Sequence, residues 1–442
     1  MIDSTHDPDL TSWVESANDS STDFPIQNLP LGVFRPQTAA SWRVGVAIGS
    51  MVLDLAELAD RGLMPTPLNG IETAARQSSL NALLALGPAV RRGLRSALSV
   101  CLRSDLPEGR AVMQHAVHLL HPADSVELRV PVDVGDYTDF YASIHHATNI
   151  GRMLRPDQPL LPNYQWIPIG YHGRASSLVI SGSSVRRPCG QTKGEGASAP
   201  TFTPSARLDY EAELAFVIGS ASSLGSRVPI AEAGAHIAGV LLLNDWSARD
   251  IQAWEYQPLG PFLSKNFATT LSPWLVTTEA LAPFRAAALQ RSSEDPAPLP
   301  YLFSAEDQQS GAIDVRVGVS LRSAEMRRSN QAPAPVSLAT AADMYWTPAQ
   351  LLAHHTSNGC SVRVGDVLGS GTISGTTRES RGCLMELTWR GTEPITLPTG
   401  EIRRFLEDGD EVRIHGYCER PGFRRIGLGF CVGVVDAALP GA

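Results

Sequence analysis

The chain has 442 residues, 43% of them hydrophobic, enough to bury a sizeable core and to form two domains or one large β-rich domain with a smaller companion. Its formal net charge is -9 and its pI about 5.7, with no Lys/Arg-rich run. That excludes the basic stripe that nucleic acid or an anionic membrane surface requires.

In chain order, residues 1–23 are polar and acidic and lack the basic and apolar regions of a signal peptide. Their Asp, Ser and Thr content predicts a disordered leader. Residues 24–130 read as a first domain, in which Trp42 to Leu55 holds two β-like runs about Gly49-Ser50, a hairpin signal. Apolar spacing at three and four over residues 71–103 and 111–120 predicts amphipathic helices. From residue 131 to 442 strand-like runs recur: Ser177–Ile180, Leu208–Ile218, Ala238–Asn244, Ala312–Leu321, Val367–Ile373, Cys383–Trp389, Glu411–His415 and Leu428–Val435. Helical patterns are few, Leu338 to His354 being the clearest. Many punctuated strands without alternating helices predict a mainly β, α+β fold rather than a doubly wound parallel sheet. The longest apolar runs are too short to span a bilayer. Six scattered cysteines without a CxxC pair suit reduced thiols, and with the missing signal peptide they predict a cytoplasmic protein.

Four stretches carry chemistry. In Asp139-Phe-Tyr-Ala-Ser-Ile-His-His146, a helix would put Asp139 and His146 on one face, where carboxylate and imidazole can hold a metal and activate water. A capped helix with a satisfied histidine is the plainer alternative. In Asp209-Tyr-Glu211-Ala-Glu213, a strand period of two sends all three acids to one side, and a hard cation relieves their repulsion. Ala215 and Val217 continue that side as apolar residues, so it is partly interior and not only a wet edge. In Asn244-Asp245-Trp-Ser-Ala-Arg249-Asp-Ile-Gln252-Ala-Trp-Glu-Tyr256, a fully apolar strand ends at Asp245, a helix cap or a ligand. Arg249, Gln252 and Tyr256 then follow on one helical edge. Lys265 lies nearby in apolar company, where lysine needs a partner. Last, Gly369-Ser-Gly-Thr372-Ile-Ser-Gly375 offers backbone amides to an anion, and Glu386 interrupts an apolar run, so as a buried carboxylate it needs a partner such as histidine.

In this order, DYTDFYASIHHATNIG from Asp136, PIGYHGRASS from Pro168, NDWSARDIQAWEYQPLGPFLSKNFATTLSPW from Asn244 and GSGTISG from Gly369 resemble the fumarylacetoacetate hydrolase family. The likeness covers nearly the whole chain from Phe24. It implies a small N-terminal β-barrel domain joined to a larger C-terminal mixed β-sandwich roll, a homodimer, and hydrolysis of a carbon–carbon bond in a small β-diketo acid, fumarylacetoacetate, in tyrosine breakdown. It implies a Ca²⁺ or Mg²⁺ held by Asp139, Glu211, Glu213 and Asp245, with Lys265 and Thr269 matching a second, Mg²⁺-type site. His146 matches the general base and Glu386 its orienting carboxylate. Arg249, Gln252 and Lys265 match groups that stabilise the leaving carbanion. Tyr141, Arg155, Gln252, Tyr256 and Thr372 match substrate contacts, and Tyr171 lines the pocket. Two positions depart from the family pattern: His145 precedes the base, and Ala268 stands where glycine is usual. An acylpyruvate hydrolase or decarboxylase of the same superfamily is the nearest alternative, and a non-catalytic calcium-binding β-protein the alternative of another class.

Overall fold

Strand alternation and turn chemistry build the N-terminal sheet. Arg43–Ile48 and Met51–Asp54 pair antiparallel about Gly49, whose φ of +56° suits a residue without Cβ. The sheet runs in the order Leu120–Pro122, Met51–Asp54, Arg43–Ile48, Leu31–Pro36, Val126–Leu128. Its two outer strands are joined by the short turn Ala123–Ser125, so the sheet curls back on itself. Helices Ile71–Ala75, Asn81–Ala85, Pro88–Leu102 and Pro107–Met113 cover it. The computed structural model describes residues 1–37, 41–65 and 68–440.

The larger part is two packed sheets. An eight-stranded mixed sheet is centred on Ala212–Ile218 and Ile237–Asp245, and a five-stranded sheet is centred on Arg316–Arg322, Glu411–Cys418 and Ile426–Asp436. Every residue of the two central strands of the larger sheet is buried. The cause is a core on each face. Leu214, Phe216, Val240 and Leu242 join the cluster shared with the second sheet, while Ala215, Val217, Leu241 and Leu243 join the cluster shared with the N-terminal helices. Period-two alternation therefore has no wet side here, and a continuous apolar run results. The protein is α+β with sheets dominant, as expected.

Several local readings change. Residues 1–23 are not a disordered leader. Asp3 caps Ser4–His6, Thr5 and His6 are buried, His6 Nε2 lies 2.8 Å from the carbonyl of Glu279, and Trp13 Nε1 donates to the carbonyl of Cys101. Thr5, His6 and Ser12 are turned to buried contacts, while most of the other polar residues remain at the surface. Cys383–Trp389 is not a strand: Leu384–Leu387 form one helical turn whose first amides donate to Asp209. Leu338 to His354 splits into the strand Ala334–Thr340 and the helix Pro348–His355, started by the capping box of Thr347 and Gln350. Leu208–Ile218 breaks at Tyr210–Glu211, and Val367–Ile373 is regular strand only to Gly369, although the amides of Ser370 and Ile373 still bond to Leu214 and Ala212.

Among the described residues no helix is long and apolar enough to cross a membrane, and the six cysteines are unpaired.

Candidate active site

Asp139 and His146 do not share a helix. Tyr137–Phe140, rich in β-favouring residues, is a strand between Val367–Gly369 and Gly170–Gly173. Ser143 then caps a new helix, Ile144–Leu154, by accepting the amide of His146. The two residues thus belong to adjoining centres.

The first centre is acidic. Glu213 and Asp245 have the same strand parity as Ala215, Val217, Leu241 and Leu243, so they end the face covered by the N-terminal helices. Asp139 joins them through Gly369, which is paired with both Asp139 and Ala215. A Cβ at Gly369 would stand 2.3 Å from Asp139 Oδ1, so only glycine leaves room for the carboxylate. Ligand atoms of Asp139, Glu213 and Asp245 lie within 4.8 Å of one another, all three residues buried. Burial first, and neighbouring carboxylates next, push Asp139 and Glu213 well above the usual carboxylate range. The amide of Gly371 donates to both, at 3.2 and 3.0 Å, yet Glu213 Oε1 is buried without a partner. Three hard oxygen donors, one of them orphaned, fit a hard divalent cation.

Cations already sit beside this cluster. Lys265 Nζ is 2.7 Å from both Glu211 Oε1 and Asp245 Oδ2. Burial alone would lower its pKa, but Asp245 and Glu211 raise it, so it is an ammonium without a lone pair for a metal. Thr269, directly opposite Asp245, donates to Asp245 Oδ1 at 2.9 Å, and Tyr171 donates to Oδ2 at 2.6 Å. Glu211 is engaged by Lys265, by Arg249 Nη1 at 2.7 Å, by Ser247 at 2.8 Å and by Thr372 at 2.6 Å. Burial opposes its charge, but Arg249 and Lys265 hold its pKa well below the usual value. Asp209 shares Arg249 with Glu211, its Oδ2 3.0 Å from Nε, and lies outside the Asp139–Glu213–Asp245 cluster.

The second centre is the pair His146–Glu386. His146 Nδ1 is 2.6 Å from Glu386 Oε2, with both side chains buried. Burial would raise the Glu386 pKa, but the charge and hydrogen bond of His146, with bonds from Asn149 and Ser374, hold it at about 2. Glu386 is therefore a carboxylate near neutrality, and His146 Nδ1, which faces it, donates to it. The ring of Tyr141 lies edge-to-face on His146 at 5.2 Å.

These arrangements coincide with sequence likeness over the whole chain. Residues 27–131 match the profile described as "Fumarylacetoacetase N-terminal", and residues 137–435 match "Fumarylacetoacetate (FAA) hydrolase C-terminal". The chain belongs to the fumarylacetoacetate hydrolase family. It is 45% identical to the fumarylacetoacetase of Arabidopsis thaliana, over 98% of this chain and 99% of that one. It is 46% identical to that of Caenorhabditis elegans (94% and 97%) and 44% identical to that of Homo sapiens (97% and 100%).

Within this family member, the remaining expected residues surround the two centres unevenly. Arg249 Nη1 lies 3.2 Å from Gln252 Oε1, and Arg249 Nη2 is buried without a partner among the described residues. Arg155, just past the base-bearing helix, has a buried Nε also without a partner. Tyr256, after the helix Arg249–Glu255, is 36% exposed and borders solvent. Sequence reading passed over Asn149, Ser247 and Ser374, each hydrogen-bonded to a site carboxylate. For Asn149 the available signal was its place three residues after His146 in one capped helix.

Proposed function

We propose that this chain is a metal-dependent hydrolase that cleaves the carbon–carbon bond of 4-fumarylacetoacetate to fumarate and acetoacetate, the last step of tyrosine and phenylalanine breakdown. The observation that carries this reading is the buried His146–Glu386 pair beside the Asp139–Glu213–Asp245 cluster. Full-length identity to fumarylacetoacetases supports the choice of substrate.

Asp139, Glu213 and Asp245 would hold a Ca²⁺ or Mg²⁺, with Glu211 as a further arm. Bound there, the cation would act as a Lewis acid on the dicarbonyl and offset the local excess of carboxylates. Lys265 and Thr269 keep Asp245 in place for it.

The chemical difficulty is expelling carbon at neutral pH, which a β-diketone eases because the departing fragment is an enolate. Glu386 fixes the imidazole with Nδ1–H toward itself, so Nε2 takes a proton from water. The resulting hydroxide adds to the carbonyl next to the fumaryl group. The carbon–carbon bond then breaks, and its electron pair moves into the acetoacetate enolate. Arg249, whose Nη2 is uncommitted, meets that charge together with Lys265 and Gln252, and preorganised donors act most strongly in such a buried place. The proton on His146 passes to the enolate carbon, which restores the neutral base. Tyr141, Tyr171, Arg155, Tyr256 and Thr372 would contact the substrate and its carboxylates.

A homodimer is part of this reading, supported by exposed apolar side chains at Phe202, Trp254, Leu259 and Phe262. Light scattering on a sizing column would test it. A cytoplasmic location is supported by the unpaired thiols.

The deciding experiment is spectrophotometric loss of fumarylacetoacetate on adding the purified, metal-loaded chain. The expected result is turnover in the wild type and none in His146→Ala at normal metal content. No turnover by the wild type, or wild-type rates in His146→Ala, would defeat the proposal.

A further inference from the structure

Glu386 is fully buried and has two oxygens to satisfy. Oε2 is crowded: His146 Nδ1 lies at 2.6 Å, the Ser374 hydroxyl donates at 2.8 Å, and Cys383 Sγ stands at 3.2 Å. Oε1 has a single side-chain donor among the described residues, Asn149 Nδ2 at 2.8 Å. A carboxylate held at one oxygen alone turns about its last torsion, which is soft. A donor on the other oxygen stops that rotation.

The helix Ile144–Leu154 supplies both contacts. Ser143, His146 and Asn149 follow one another at intervals of three, on one side of the helix. Ser143 caps the helix and donates to the carbonyl of Ser374 at 3.0 Å. Ser374 in turn donates to Glu386 and accepts the amide of Gly382. The base, the helix cap and the second clamp of the carboxylate therefore move as one piece. We infer that Asn149 is a positioning residue for the reaction: it locks the Glu386 carboxylate so that Oε2 stays on His146 Nδ1 and Nε2 stays aimed as the base. The inference rests on the assignment of His146 as base made above.

The charged and titratable groups near Glu386 come from several elements. They are His146 on the same helix as Asn149, Cys383 beside the short helix, Arg381 bonded to the carbonyl of Glu386, Asp209 under the amides of Leu384 and Met385, and the buried phenols Tyr141 and Tyr210. None of them bonds Oε1 in place of Asn149.

The test uses metal-loaded full-length enzyme and fumarylacetoacetate, with wild type, Asn149→Ala and Asn149→Asp compared over pH. Asn149→Ala should lower kcat about 10- to 100-fold, the usual cost of misplacing a catalytic group by about an ångström, with KM and metal content unchanged. Asn149→Asp separates positioning from mere packing. Two buried carboxylates side by side retain one proton between them, and while they do, the acid at position 149 donates to Oε1 as the amide does. When that proton leaves, the contact becomes repulsive. Asn149→Asp should therefore exceed Asn149→Ala at lower pH and lose activity as pH rises, giving a basic limb that the wild type lacks. Wild-type kcat in Asn149→Ala, or a pH profile in Asn149→Asp that merely scales the wild-type curve, would overturn the inference. Absence of turnover in the wild type would instead defeat the assignment beneath it. A circular-dichroism melt of each variant identifies misfolding; if Asn149→Ala fails to fold, the profile of Asn149→Asp decides alone.

Discussion

Burial and Asp245 oppose ionisation of both Asp139 and Glu213, and a cation between them would relieve that cost. Replacing Asp139 by Asn keeps the shape and the hydrogen-bonding oxygen while removing one charge. In the metal-free protein Asp139→Asn should thus raise the melting temperature by about 2–4 °C, the shift that ~1 kcal/mol gives in a sizeable domain. Added Ca²⁺ or Mg²⁺ should stabilise the variant far less than the wild type. Melts with chelator and with excess cation check both parts, and equal cation responses in the two proteins would count against Asp139 as a ligand. At this scale much was legible in the sequence. Buried carboxylates, a lysine in apolar company and a glutamate inside an apolar run are expensive unless paired, and the structure pairs Lys265 with Glu211 and Asp245, and Glu386 with His146. What escaped was the division of labour. Asp209 looked equivalent to Glu213 by parity, but the strand is interrupted at Tyr210–Glu211, and Asp209 pairs with Arg249 and the amides of Leu384 and Met385 while Glu213 joins the acidic cluster. Asn149 gave no signal by type, since an asparagine in a helix is ordinarily a solvated residue.

Elements were harder to read where tertiary contacts override local preference. The apolar central strands Ala212–Ile218 and Ile237–Asp245 were plain, because a sheet covered on both faces needs unbroken apolar runs. The turn Leu384–Leu387 was not. Its residues fit a buried strand equally well, and only the carboxylate of Asp209, distant in sequence, caps it as a helix. Asp139 and His146 were misplaced on one helix because the cap signal at Ser143 lies inside the stretch that seemed continuous. That cap has a double duty, to the helix and to the carbonyl of Ser374. Ser143→Ala should lower stability by ~1 kcal/mol, as lost N-caps do. It should also lower kcat more than KM, since the end of the helix bearing the base comes loose from the loop that steadies Glu386. A melt and steady-state kinetics on the same preparation check this. An unchanged kcat alongside a lowered melting temperature would confine Ser143 to a stabilising role.

Over the whole molecule, the N-terminal residues tie the two parts together. Arg95 is buried and donates to Thr5 and to the carbonyls of Asn28 and Gln27, while His6 reaches Glu279. Removing residues 2–18 strands Arg95 Nε and the carbonyls of Glu279 and Cys101, at roughly 1–3 kcal/mol for each buried group left unpaired, so the truncated chain should melt well below the intact one. Equal melting temperatures would show the strap to be dispensable. Metal, proton and fold are linked over the same scale. The ordinary pKa values of Asp139 and Glu213 are 3.8 and 4.5, and both are raised in the metal-free fold. Above that range the folded chain therefore holds more protons than the unfolded one, and its stability falls as pH rises. Glu386 has the opposite sign: held at about 2 against an ordinary 4.5, it contributes stability above 4.5 that is lost only as pH falls toward about 2. It is thus silent near neutrality. A cation displaces the retained protons and binds more tightly as fewer remain to be displaced. At a fixed cation concentration, the rise in melting temperature over the chelated protein should be larger at about pH 8 than at about pH 6. Calorimetric titrations in buffers of different ionisation enthalpy should show proton release on binding. An increment independent of pH, with no protons released, would mean that Asp139 and Glu213 are already ionised without the metal, and the electrostatic account of the site would fail.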